Sequence, residues 1–198
     1  MKIGVIGIQG AVSEHIRIVE LLGHDAVWIN GPGGLEGVSG IIIPGGESTT
    51  IGRLMIKACL FDAVRKRALA GMPVYGTCAG MVMLSKKGGG QVKRTGQKLL
   101  GLMDIEVERN AFGGQRESFE KVLDVGRIKG FQCVFIRAPA VKRVWGSANV
   151  LARVNGKIVA VEQGNLLATS FHPELTDDTR IHEYFISKCE GLNSLKPK

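Results

Sequence analysis

Four cysteines in 198 residues, with no C-x-x-C pair and no short Cys/His cluster, are too few and too scattered for a disulfide framework or a structural zinc site. Cys59, Cys133 and Cys189 read as packed or surface thiols, and no metal and no cofactor are expected. No apolar run reaches the length of a membrane span. The apolar start, residues 1–8, is cut short by Gln9 and Gly10 before a leader could be completed, so a cytoplasmic protein without membrane contact is expected. Aromatic residues make up only 6%. None falls in the basic stretch of Lys86, Lys87, Lys93, Arg94 and Lys98, which also lacks any acid and supplies five of the net +8 charges. Basic charge without interleaved aromatics, set in Lys-Lys-Gly-Gly-Gly, reads as a solvated loop, and no nucleic-acid partner is expected. No linker or repeat interrupts the chain, which gives one domain over 1–198. Glycine alone is abundant, at 28, and it falls between apolar runs without a Gly-X-Y period.

The apolar runs alternate with helix-period segments. Residues 3–8 form a strand without polar alternation, as a strand covered on both faces should. Val12, Ile16, Val19 and Leu22 then mark an amphipathic helix closed by Gly23. Strands are expected at 26–29, 40–43 and 74–75, with a loop at 31–34, a helix over 49–69 and a short helix over 79–84. The second half reads as strands at 104–109, 134–137, 150–154, 157–162 and 166–170, with a closing helix over 176–188. Asn155-Gly156 between two of these runs is a type I′ hairpin signal. The pattern gives an α/β fold, a mostly parallel or mixed central sheet flanked by helices. Gly4, Gly7 and Gly10 do not have the G-x-G-x-x-G spacing of a dinucleotide site and read as tight strand–helix packing.

One cysteine differs from the other three. Cys78 stands in Gly76-Thr77-Cys78-Ala79-Gly80, directly after a predicted strand, where glycines tolerate the close-packed turn that exposes a nucleophile. A thiol needs a base, and the base needs an orienting group. His172 and Glu174 supply both at a spacing of two, which on an extended strand places them on one face. His15 and His182 fall within amphipathic helices and His24 follows a helix cap, so packing or surface roles suit those three. Pro44-Gly45-Gly46-Glu47-Ser48 follows another strand, and its glycines allow a backbone N–H to face a ligand, as an oxyanion hole beside the N–H of Ala79 requires.

Gly76–Gly80, residues 44–50 and Phe171-His172-Pro173-Glu174-Leu175-Thr176 resemble the triad-type (class I) glutamine amidotransferases. Within these the chain is most similar to the glutaminase subunits of pyridoxal 5′-phosphate synthases, a resemblance extended by residues 7–12, 107–113 and 135–139. It implies a flavodoxin-like fold and hydrolysis of L-glutamine by Cys78, His172 and Glu174, with Gly46 and Ala79 as the oxyanion hole. Substrate binding would fall to Gly46, Glu47, Ser48, Arg109, Ile136 and Arg137, with either arginine able to pair with the α-carboxylate. The resemblance also implies a (β/α)₈ synthase partner that receives the ammonia and activates the glutaminase, contacting it near Gln9 and Gly10. The basic stretch at 86–98 is longer than the resemblance leads one to expect. A glutaminase for another synthase, such as that of the imidazole glycerol phosphate pathway, fits the Gly-Ile-Gln-Gly-Ala start less well. A DJ-1/PfpI-type hydrolase would carry histidine where Ala79 stands. A non-catalytic protein binding through the basic stretch is the remaining alternative, and in it Cys78 would be dispensable.

Overall fold

The computed structural model describes residues 1–113 and 118–193. The first half winds as β1 (Lys2–Ile6), α1 (Val12–Leu21), β2 (Asp25–Ile29), β3 (Gly40–Ile43), α2 (Ser48–Lys57), α3 (Leu60–Leu69), β4 (Val74–Thr77) and α4 (Ala79–Leu84). Then come β5 (Ser85–Gly88), α5 (Gly90–Thr95), β6 (Met103–Glu108), β7 (Ser118–Val125) and β8 (Ile128–Ile136). The last part holds β9 (Ala140–Val144), β10 (Asn149–Val154), β11 (Lys157–Gln163), β12 (Leu166–Thr169) and α6 (Arg180–Asn193).

Among the described residues ten strands form one sheet in the order β2-β1-β3-β4-β12-β11-β9-β6-β5, with β10 paired to β11. The run from β2 to β12 is parallel, and β12/β11, β11/β9 and β9/β6 are antiparallel. Side chains alternate across the sheet as the period of two requires. Ile41 and Ile43 pack on one face with Ile51, Met55, Leu60 and Val64 of α2 and α3. Ile42 packs on the other with Val12 and Val19 of α1 and Phe185 of α6. The β7–β8 hairpin covers that second face, where Phe131 and Phe135 lie 5.9 and 5.7 Å from Phe171.

Several expectations need correction. The helix over 49–69 is two helices, broken at Cys59 in the left-handed region with φ 57°. No glycine or proline marks that break; burial of Leu60 and Val64 redirects the chain. The basic segment 86–98 is not a loop: β5 pairs with β6 at the sheet edge and α5 follows, with Val92 buried and Lys86 paired to Asp104 at 2.5 Å. β9 and most of the β7–β8 hairpin escaped the sequence reading, because β7 has five exposed positions out of eight and little apolar pattern. The 31–34 loop is a 3₁₀ turn over Pro32–Leu35. The closing helix begins at Arg180, whose N–H donates to Asp178 Oδ1 at 3.2 Å.

Candidate active site

The site is assembled at the C-terminal ends of β1, β3, β4 and β12, the edge where parallel sheets place ligands. Cys78 joins β4 to α4 with φ 47° and ψ −99°, a strained backbone for a residue with a side chain. Two features hold it there. Its N–H donates to Thr169 O at 2.7 Å, tying the turn to β12. Around it, Gly76 and Gly80 permit contacts no side chain could: a Cβ on Gly80 would run into the Ile43 carbonyl oxygen, and one on Gly76 into the Gly80 backbone.

His172 and Glu174 follow β12, but not on an extended strand as expected. The strand ends at Thr169, and Glu174 lies in a 3₁₀ turn over Pro173–Leu175. This turn achieves what the strand was expected to do, because Glu174 Oε1 accepts from His172 Nδ1 at 2.7 Å. His172 is fixed from below by its own N–H, which donates to Val134 O of β8 at 2.8 Å. The His172 ring and the Cys78 Cβ meet over Gly45, where an added Cβ would collide with the ring and lie 3.4 Å from Cys78 Cβ. Burial disfavours the His172 imidazolium, yet interaction with the Cys78 sulfur and the Glu174 carboxylate outweighs it and pushes the pKa up to about 10. Burial likewise acts against the Glu174 carboxylate, but His15 and His172 more than offset it and hold it below the usual range.

A cavity of about 430 Å³ opens beside Cys78. Its wall contains Gln9, Gly10, Gly46, Glu47, Ser48, Ala79, Arg109, Ile136, Arg137 and His172. The nominated residues therefore converge on one space, with Glu174 behind His172. Gly46 has φ 153°, and Gln9 Oε1 accepts from Glu47 N at 3.1 Å, which ties the 44–48 loop to the segment after β1.

Glu47 caps α2, accepting from Thr49 N at 3.0 Å and Thr50 N at 2.7 Å. Burial opposes its charge, but these bonds and that of the Thr50 hydroxyl bring the pKa down to about 2. Its Oε1 also accepts from Arg109 Nη2 at 2.8 Å, and Arg109 Nη1 donates to Thr49 Oγ1 at 3.0 Å. Arg109 is thus held in place, whereas Arg137 is exposed on a left-handed backbone with φ 44°. The Ser48 hydroxyl donates to Gln97 Oε1 at 3.1 Å, and Ser48 lines the cavity.

Asn110 and Leu175 also line the cavity and were not nominated. More telling are His15 and His182, expected to pack or face solvent. Both are fully buried: His15 Nε2 lies 3.6 Å from Glu174 Oε2, and His182 stands behind His15 with Nε2 2.9 Å from His15 Nδ1. Their signal was present: His15 stands three residues after Val12 and four before Val19, on the buried face of α1. Among the described residues no cluster of three or more His, Cys, Asp or Glu is arranged to hold a metal ion.

Fold and site together define a protein with a cysteine, histidine and carboxylate gathered at the C-terminal ends of the parallel strands of a mixed sheet. Residues 5–191 match the SNO glutamine amidotransferase family, and the chain belongs to that family. It is 50% identical over 191 residues to the pyridoxal 5′-phosphate synthase subunit PdxT of Pelotomaculum thermopropionicum, covering 96% of this chain and 95% of that one. The subunit of the same description from Geobacillus kaustophilus is 50% identical over 200 residues, covering 99% and 100%. A crystal structure described as a glutamine amidotransferase is 44% identical and aligns with a TM-score of 0.89 over 95% of this chain and 98% of that one. The PurLQS structure from Thermotoga maritima, 19% identical with a TM-score of 0.60 over 98% and 99%, shares the fold.

Proposed function

We propose that this chain is the glutaminase subunit of a pyridoxal 5′-phosphate synthase, hydrolysing L-glutamine to L-glutamate and ammonia for use by a synthase partner. The observation that carries the reading is the line Glu174–His172–Cys78 ending in a cavity walled by residues 46–48, Arg109, Ile136 and Arg137. Identity near 50% to synthase subunits over nearly their full length supports the particular partner.

The Cys78 sulfur attacks the side-chain amide carbon, and the resulting oxyanion accepts from the backbone N–H groups of Gly46 and Ala79. Ala79 opens α4, so its N–H has no intrahelical acceptor. His172, protonated, gives its proton to the departing nitrogen; the C–N bond breaks and ammonia leaves a glutamyl thioester. His172 then takes a proton from water, the hydroxide adds to the thioester carbon, and the C–S bond breaks to release glutamate, whose carboxyl proton passes to solvent, and to return the Cys78 thiolate beside protonated His172. Glu174 keeps the imidazole oriented and stabilises its charged form. The α-carboxylate pairs with Arg109 or Arg137, and the Glu47 and Ser48 backbone lines the rest of the substrate's path.

Ammonia released into bulk water is captured as ammonium and loses its nucleophilicity, which gives direct transfer to a docked (β/α)₈ synthase a chemical purpose. Gln9 and Gly10 are the proposed contact. Because Gln9 holds Glu47 N, a partner that moves the segment after β1 also moves the Gly46 peptide beside the oxyanion. The test is ammonia release from glutamine by the full chain with and without the synthase, for wild type, Cys78→Ala and His172→Asn. Release that rises on adding the synthase and disappears in both variants is expected. Release that survives in Cys78→Ala would rule out the mechanism.

A further inference from the structure

Behind the triad lies a second row of buried polar groups that the mechanism above does not use. His15 of α1, His182 of α6 and Thr77 of β4 are each 0% exposed, and Glu174 is 1% exposed. His15 Nδ1 lies 2.9 Å from His182 Nε2, and His15 Nε2 lies 3.3 Å from Thr77 Oγ1 and 3.6 Å from Glu174 Oε2. Among the described residues, two buried side-chain polar atoms have no hydrogen-bond partner: Glu174 Oε2 and His182 Nδ1. They are the two ends of this row.

The partner set assigns the protons. His182 Nδ1 has nothing to donate to, and a buried N–H without an acceptor is the costlier orphan, so its proton belongs on Nε2. His182 Nε2–H then donates to His15 Nδ1, which leaves the His15 proton on Nε2, facing Thr77 Oγ1 and Glu174 Oε2. The opposite arrangement would set a bare nitrogen lone pair against a buried carboxylate oxygen. Burial lowers the pKa of both histidines, His182 to about 3, outweighing the opposing pull of the Glu174 charge and favouring the neutral rings. The titratable groups facing His15 are Glu14 from its own helix, His182 from α6, Tyr75 from β4, and Glu174 and His172 from the segment after β12. Tyr75 is occupied elsewhere, its hydroxyl bonding Thr169 Oγ1 at 2.9 Å.

We propose that His15, held in its Nε2–H tautomer by His182, is a positioning residue that compensates the outer oxygen of Glu174 and so keeps the inner oxygen on His172 Nδ1. A carboxylate held only at Oε1 could turn about its last torsion. The His15 N–H, 3.6 Å from Oε2 and nearer to Thr77 Oγ1, sets its positive end toward that oxygen in one carboxylate orientation and so prefers it, much as the outer partners of metal-ligating histidines orient their ligands. The role rests on the glutaminase reading for its consequence in turnover, but not for its geometry.

Two variants separate positioning from packing. His15→Leu keeps bulk and removes the donor, while His15→Gln carries an amide N–H close to the place of Nε2. In the full chain with the synthase present, His15→Leu is expected to lower kcat by about ten- to a hundredfold with KM little changed, and His15→Gln to recover most of that loss. The His172 titration midpoint followed by NMR, expected at about 10 in wild type, should fall in His15→Leu and not in His15→Gln. A folded His15→Leu with wild-type kcat and an unmoved His172 midpoint would overturn the proposal. So would equal losses in both variants with that midpoint unmoved.

Should His15→Leu fail to fold, imidazole ¹⁵N shifts of wild-type His15 decide. A proton on Nε2 supports the proposal, and a proton on Nδ1 overturns it. Absence of ammonia release by wild type with the synthase would count against the glutaminase reading alone, since both NMR readouts need no substrate.

Discussion

At the scale of the residue, the proposed chemistry depends on a buried imidazole that holds its proton against burial. His172 does so because the Cys78 sulfur lies on one side and Glu174 on the other. Glu174→Gln leaves the shape but removes the charge, so the His172 midpoint is expected to drop from about 10 toward its ordinary 6.5. Turnover is expected to fall by about 10²–10⁴ for loss of the correctly held acid and base. NMR titration and steady-state ammonia release measure the two effects, and a variant that keeps both would contradict the assigned role of Glu174. The convergence of Cys78, His172 and Glu174 was legible in the sequence because the proposed nucleophile sits at a tight turn framed by glycines and the proposed base and carboxylate are neighbours in the chain. His15 and His182 were legible as packing residues, which their burial bears out, but their place behind Glu174 was not, since that comes only when tertiary structure brings their two ring nitrogens to 2.9 Å.

At the scale of the element, the site depends on how closely α4 approaches β3. Gly80 sets that distance, since any side chain there meets the Ile43 carbonyl, a backbone atom that cannot swing aside. Gly80→Ala is therefore expected to destabilise the protein by roughly 1–3 kcal/mol or more through overpacking. Gly33→Ala, where an added Cβ meets nothing within 4 Å, is expected to change stability by less than about 0.5 kcal/mol. Urea denaturation of the two variants checks the contrast, and equal stabilities would refute it. The elements carrying the site, β3 at Gly40–Ile43 and α4 at Ala79–Leu84, were legible to the residue because continuous apolar runs and flanking glycines bound them. β5 and α5 were hidden in a stretch whose charge and glycine content mimic a loop. Their structure comes from the Val92 side chain and the Lys86–Asp104 pair, partners distant in sequence.

At the scale of the whole molecule, the three histidines are expected to give folding a pH optimum. His182 at about 3 and the lowered His15 refuse protons that the unfolded chain accepts below 6.5, so stability falls as the pH drops through that range. His172 acts in the opposite sense. Its raised pKa adds stability that is fully present below 6.5 and lost as pH rises toward about 10. The slopes are about 1.4 kcal/mol per pH unit for each proton, and the maximum is expected near pH 6.5. Between pH 4.5 and 6.5, above the ordinary glutamate range, the acid-side loss belongs to the histidines, so His182→Leu should flatten it. Urea midpoints across pH 4.5–10 test this, and a His182→Leu profile parallel to wild type would show that the buried pair does not titrate as described.

The central claim is that Cys78 forms a bond to glutamine's side-chain carbonyl carbon. Burial pushes the Cys133 and Cys189 thiols up to about 12, and Cys59 lies on the surface away from the cavity, so selectivity among the four cysteines is informative. The most direct measurement is peptide mass spectrometry of the full chain, with the synthase present, after treatment with a diazoketone analogue of glutamine. One adduct on Cys78, prevented by excess L-glutamine and accompanied by loss of ammonia release, is the expected result. An adduct on Cys59, Cys133 or Cys189 that abolishes activity while Cys78 stays unmodified would contradict the account.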